Sequence, residues 1–146
     1  MPVKKFTAEA RRTRRRGEVN ALKENDLATA IIGAAIEVHK TLGPGLLESA
    51  YQASLARELS LKNIRYEREK ALPLEYKGIK LDCGYRLDFI IEGLVIVELK
   101  SVEKILPIHQ AQILTYLKLL KLKLGLILNF NVEYLRYGVK RIALNL

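Results

Sequence analysis

The stretch from Gly84 to Lys100, GYRLDFIIEGLVIVELK, limits what this chain can fold into more than any other part of it. Two apolar runs, Tyr85 to Ile91 and Leu94 to Leu99, flank Glu92-Gly93. Branched and aromatic runs on either side of a Gly-containing turn predict a β-hairpin. Alternation puts Ile96, Glu98 and Lys100 on one face of the second strand and Val95, Val97 and Leu99 on the other. Asp88 interrupts the first strand. Charges inside such runs are costly unless they are paired or hold a metal, so the hairpin is the first place to look for a site.

The remaining elements follow in order. Residues 1–24 carry no helical or strand periodicity and read as a basic, flexible N-terminal arm, with residues 25–146 as a single domain. Asn25-Asp26 are good N-cap residues for a helix whose apolar stripe is Leu27, Ile31, Ala34, Ala35, Val38 and Leu42. Gly43-Pro44-Gly45 stops it. A second helix carries Leu47, Ala50, Tyr51, Leu55 and Leu59 on one face and fades near Lys62-Asn63. The period then changes to two. Ile64 to Lys70 reads as an exposed edge strand, and Leu72–Tyr76 with Ile79–Leu81 form a hairpin around Lys77-Gly78. After the central hairpin, Pro107 suits a first helical turn, and a helix spans Ile108 to Lys123 with Gly125 marking its end. Leu126 to Phe130 reads as a buried strand and Tyr134 to Leu144 as a last one, interrupted by Gly138. The fold class is α/β, or α+β with a mixed sheet, helices packing on a central sheet.

At 146 residues, 49% hydrophobic and 28% charged, the chain has globular composition and enough length for a sizeable core. No apolar run approaches the roughly 20 residues that span a bilayer, and no secretory leader is evident, so a cytoplasmic location without membrane attachment is expected. The single cysteine, Cys83, excludes an internal disulfide and is expected as a small buried or half-buried side chain. Net charge is +9. Residues 1–25 contain eight Lys or Arg, among them Arg11, Arg12, Arg14, Arg15 and Arg16, against three Glu. That arm suits a polyanion such as nucleic acid better than a membrane, because it has no apolar face; the same charges also suit a solvated tail.

Three carboxylates stand out. Glu48 lies in the first turn of the second helix, Asp88 within one central strand and Glu98 at the end of the next. If that helix crosses the hairpin, all three converge, with Lys100 beside them. Close carboxylates repel and raise one another's pKa unless a cation holds them, and an all-oxygen site favours Mg²⁺ or Mn²⁺. Lys100 would then orient or deprotonate the attacking water. Each group also has a structural reading: Glu48 as a helix-dipole partner, Glu98 and Lys100 as a half-exposed ion pair, Asp88 as a cap or a partner of Arg86 or Lys100. His39 and His109 are not at metal-ligand spacing and read as core-edge or surface residues.

These residues carry a resemblance. Gly45-Leu46-Leu47-Glu48-Ser49-Ala50-Tyr51 resembles the signature of the GxxExxY proteins, a small family in the PD-(D/E)XK nuclease superfamily. The likeness runs from about Asp26 to Ile142. Asp88 followed by Glu98-Leu99-Lys100 resembles the superfamily's D…ExK core. The resemblance implies a restriction-endonuclease-like αβββαβ core and a metal held by Asp88 and Glu98, with Glu48 and the Leu99 carbonyl contributing. It implies Lys100 as the catalytic lysine. Gln112 and Tyr116, spaced QxxxY, resemble a helical motif in which the glutamine supports the lysine or the substrate; Tyr116 is expected to meet nucleic acid. Leu87 stands where the family's proline would precede the aspartate, and that proline is not a ligand.

The expectation is a Mg²⁺- or Mn²⁺-dependent nuclease acting on DNA or RNA. The alternatives are a catalytically silent nucleic-acid-binding module, motivated by the arm, and an assembly component. The last rests on Leu117, Leu119, Leu120, Leu122 and Leu124, too many for one helix face unless the helix is buried on two sides or contacts a second copy.

Overall fold

The computed structural model describes residues 16–146. Helix α1 spans Arg16–Leu42 and α2 spans Glu48–Leu61. The strands are β1 (Tyr66–Ala71), β2 (Leu74–Tyr76), β3 (Ile79–Leu81), β4 (Arg86–Ile91), β5 (Val95–Lys100), β6 (Leu124–Asn129) and β7 (Val139–Ala143). Helix α3 (Pro107–Leu120) lies between β5 and β6.

Five strands form one mixed sheet in the order β1-β4-β5-β6-β7. Only β5 and β6 run parallel, and α3 makes the crossover such a pair needs. Strands β2 and β3 form a separate hairpin whose turn residues Lys77 and Gly78 both have positive φ (46° and 84°), the geometry that favours a two-residue turn. The succession α2, β1, β4, β5, α3, β6 is the αβββαβ order expected of a restriction-endonuclease-like core.

Two apolar layers cover the sheet. On one face, Leu27, Ile31, Ala35 and Val38 of α1 and Tyr51, Leu55 and Leu59 of α2 pack on Phe89, Ile91, Val95, Val97, Leu99, Leu126 and Leu128. On the other, Ile113, Tyr116 and Leu117 of α3 pack on Leu87, Ile90, Ile96 and Ile127. The alternation predicted for β5 is therefore observed.

Several boundaries differ from the sequence reading. Helix α1 begins at Arg16, so residues 16–24 belong to it rather than to an arm, and Asn25-Asp26 lie inside it. A tertiary contact outweighs the capping preference: the Asn25 side chain accepts a hydrogen bond from Arg141 of β7, and its carbonyl accepts one from Thr29. Leu47 precedes α2 and is 79% exposed, off the buried face, and Leu42 is also exposed. Helix α3 stops at Leu120 because Lys121 takes the left-handed conformation (φ 58°), which places Leu122 and Leu124 outside the helix. Gly125 sits within β6, where a Cβ would collide with the Ile113 side chain; the residue permits close packing of α3 and is not a helix stop. The last strand is shorter than expected, since Leu135–Tyr137 form a 3₁₀ turn before β7. Cys83 is exposed, lying in the irregular stretch between β3 and β4. No helix among the described residues is long and apolar enough to cross a membrane.

Candidate active site

The β4–β5 hairpin is regularly paired at its turn, through Ile91↔Val95, Ile90↔Ile96 and Phe89↔Val97. Beyond that pair the ladder stops and side chains take over. The Asp88 N–H donates to Glu98 Oε1 (3.0 Å), and the Leu99 N–H donates to Asp88 Oδ2 (2.8 Å). Each carboxylate thus satisfies a backbone amide of the opposite strand, which would otherwise be an orphan donor. The alternation of β4 also breaks here. Asp88 turns to Gln52 of α2 and Phe89 packs in that same layer, whereas Leu87 packs in the α3 layer.

Gln52 fastens Asp88 from the helix side. Its amide donates to Asp88 Oδ1 (3.1 Å) and Glu69 Oε1 (2.7 Å), and its oxygen accepts from Arg68 (3.0 Å). Glu69, inside edge strand β1, holds φ at 51°, a conformation that side-chain-bearing residues seldom adopt in a strand. Sequence reasoning missed Gln52, Arg68 and Glu69. Gln52 directly follows the GxxExxY tyrosine, but nothing local marks Arg68 or Glu69, which gain their meaning from the β1–β4 pairing, where Arg68 lies opposite Phe89 and Lys70 opposite Leu87, on either side of Asp88.

Glu48 approaches the open end of β5. Its Oε2 accepts the Ser101 N–H (3.3 Å), and the Ser101 hydroxyl donates to the Leu46 carbonyl (2.7 Å). Tyr51 sets the loop that starts α2: its hydroxyl donates to the Gly43 carbonyl (2.6 Å) and accepts the Leu46 N–H (3.1 Å), while its ring stacks on Phe130 at 4.3 Å. The motif tyrosine is therefore a brace for the segment that presents Glu48. Asn129 braces the other side, clasping both the N–H and the carbonyl of Val102 just beyond β5.

Electrostatics single out the same pair. Burial, then the neighbouring Asp88 charge, pushes the Glu98 carboxyl up to about 8, against the Asp88 amide and the Lys100 ammonium, which pull it down. Burial likewise raises Asp88, reinforced by Glu69 and Glu48 and opposed by the amides of Leu99 and Gln52. Both shifts favour a bound proton or a counter-cation at the pair. Tyr116 is raised by burial, then by Glu98 and Tyr85, so its hydroxyl belongs to the same charged surroundings.

The predicted residues divide accordingly. Asp88 and Glu98 meet; Lys100 acts on Glu98 electrostatically and Glu48 acts on Asp88. Leu99 meets Asp88 through its backbone N–H, its side chain being buried. Gln112 and Tyr116, one helical turn apart, line a cleft against α3. Arg11, Arg12, Arg14 and Arg15 lie outside the described residues, and of Arg16 only the backbone at the start of α1 is described. His39 donates to the Val132 carbonyl (2.8 Å), and His109 Nδ1 accepts the Leu106 N–H (3.0 Å), so both are structural. Among the described residues, no three His, Cys, Asp or Glu side chains are gathered at metal-holding distance. A close pair of carboxylates, with neither thiol nor imidazole beside it, fits a hard divalent cation that keeps several of its own waters.

A family model described as the PD-(D/E)XK nuclease superfamily matches residues 25–142, and the chain belongs to that superfamily. No curated protein and no solved structure gives a match. The family supports a nuclease-type function, and its members generally use divalent metals.

Proposed function

We propose that this chain is a divalent-metal-dependent nuclease that hydrolyses phosphodiester bonds of DNA or RNA in the cytoplasm, and that within the superfamily it is a GxxExxY protein. One observation carries the reading: Asp88 and Glu98 meet at the split end of the hairpin, Glu98 held by the backbone amide of Asp88 and Asp88 by that of Leu99. This pair, with Glu48 and the Leu99 carbonyl in reserve, would hold Mg²⁺ or Mn²⁺, which would supply Lewis acidity toward the phosphate.

The protein's groups do the rest. Lys100, on the Glu98 face of β5, orients the attacking water and stabilises charge gathering on phosphorus. Gln112 steadies Lys100 or the phosphate from α3, and Tyr116 contacts the nucleic acid. Gln52 keeps the Asp88 carboxylate aimed into the gap. Water gives up a proton to solvent as it forms the new P–O bond, the bond to the leaving oxygen breaks, and that oxygen is protonated from solvent. The basic N-terminal residues, Arg11, Arg12, Arg14, Arg15 and Arg16, add sequence-independent attraction for the polyanion.

The test is incubation of the full chain with single- and double-stranded DNA and with RNA, in Mg²⁺, Mn²⁺ or EDTA, beside Lys100→Ala. Cation-dependent cleavage that the variant lacks is expected. Cleavage unchanged in the variant refers the activity to a contaminant.

A second reading, a catalytically silent nucleic-acid-binding module, is favoured by the eight Lys or Arg against three Glu in residues 1–25. It requires salt-dependent binding that ignores EDTA, with no cleavage and with affinity lost when residues 1–15 are deleted.

A further inference from the structure

A cleft of about 330 Å³ lies between α3 and the chain entering and leaving the β2–β3 hairpin. Leu72, Leu74 and Ile108 give it an apolar lining, Tyr85 and Tyr116 aromatic walls, and Gln112 an exposed amide. Tyr85 and Ile108 are 49% and 67% exposed, so two large side chains with much to gain from cover are left facing solvent. Tyr116 packs in the layer of Ile96, on the Glu98 face of β5, and its hydroxyl is raised by burial, then by the charges of Glu98 and Tyr85.

We propose that this cleft receives one unpaired nucleobase of the strand being cut, next to the phosphate held at Asp88 and Glu98. The inference rests on the nuclease reading and narrows its substrate to nucleic acid with an unpaired base beside the scissile bond. The cleft's make-up matches that role. Aromatic faces offer stacking to any base, the apolar lining excludes water, and an amide at the rim can donate to or accept from a base edge. Its volume, at the low end for ligand pockets, takes one ring system and not a base pair. Position completes the case: a strand whose phosphate sits at Glu98 must send a neighbouring base somewhere, and Tyr116, which lines the cleft, packs in the layer of Ile96, on the Glu98 face of β5. An apolar side chain of a protein partner would fill the lining but leave the aromatic faces and the Gln112 amide unused. The net charge of +9 further selects a polyanion.

The experiment compares wild type, Tyr85→Ala and Tyr85→Phe as full chains. Affinity is measured in EDTA by fluorescence anisotropy on single-stranded DNA, single-stranded RNA, duplex DNA and an otherwise identical abasic single strand. Stacking is read from quenching of 2-aminopurine placed at each position in turn, and cleavage is followed separately with Mn²⁺. Tyr85→Ala should weaken single-strand binding about tenfold and abolish quenching at one position, while Tyr85→Phe keeps both. The abasic strand should bind wild type and Tyr85→Ala equally. Whether the DNA or the RNA strand shows the effect identifies the sugar.

Intact cleavage with unchanged affinity and quenching in Tyr85→Ala overturns the base subsite and leaves the nuclease reading standing. Tyr85-dependent stacking without cleavage under any cation overturns the nuclease reading and keeps the subsite. Unchanged nucleic-acid affinity, with a wild-type dimer in light scattering that becomes monomeric in Tyr85→Ala, reassigns the cleft to a second copy of the chain and overturns the proposal.

Discussion

One hairpin has two unlike ends. Near its turn, β4 and β5 are joined by a regular ladder, and Phe89, Ile91, Val95 and Val97 are wholly buried against α1 and α2. One residue further from the turn, the ladder gives way to carboxylate–amide bonds, and two acids meet in a half-buried gap. Burial of apolar surface at the closed end holds the strands together, while desolvation and charge repulsion at the open end oppose the ionised pair. The difference shows that these strands do not spread apolar burial and charge uniformly; they keep each at its own end.

The largest effect expected on this contrast comes from the closed end. Phe89→Ala should cost about 3–5 kcal/mol of stability by urea unfolding, with activity per folded molecule retained. At the open end Lys100→Ala should reduce cleavage about a hundredfold or more with little change in melting temperature. If Lys100→Ala instead unfolded the chain, the separation of roles would be lost.

The pH dependence sharpens the contrast. The Glu98 carboxyl is raised in the fold to about 8 from its ordinary 4.5. Its contribution is therefore fully favourable below about pH 4.5 and is withdrawn as pH rises toward 8. In EDTA, the melting temperature should fall across that window, and Glu98→Gln, which keeps an oxygen for the Asp88 amide, should flatten the fall. Cation binding near pH 7 should release a proton, visible by calorimetry in buffers of different ionisation enthalpy; no release would mean that Glu98 does not take part.

The smallest effect is Tyr51→Phe. Losing the hydroxyl that ties Gly43 to Leu46 should cost about 1 kcal/mol and lower activity modestly by loosening the approach of Glu48.

Much of this was legible in the sequence where local chemistry decides. The central hairpin, the Lys77-Gly78 turn, the stop at Gly43 and Pro107 opening α3 all follow from turn and capping preferences. Asp88, Glu98 and Lys100 declared themselves as charges in apolar strands, and Glu48 and Tyr51 through their motif. What escaped depends on partners distant in sequence. Asn25 looked like a cap until Arg141 of β7 claimed its side chain. Gly125 looked like a helix stop, but its missing side chain makes room for Ile113, and Lys121 turned the chain instead. Glu69 carries no local signal for a left-handed backbone, and its place beside Gln52 exists only once β1 has paired with β4.

The crossed bonds between Asp88, Glu98 and the amides of Leu99 and Asp88 tie these two acids to the knitting of the scaffold. A related sequence could not simply shed both carboxylates, because two backbone donors would lose their acceptors together. Retaining such acids in a silent relative would then be a fossil of strand pairing as much as a trace of enzymatic ancestry.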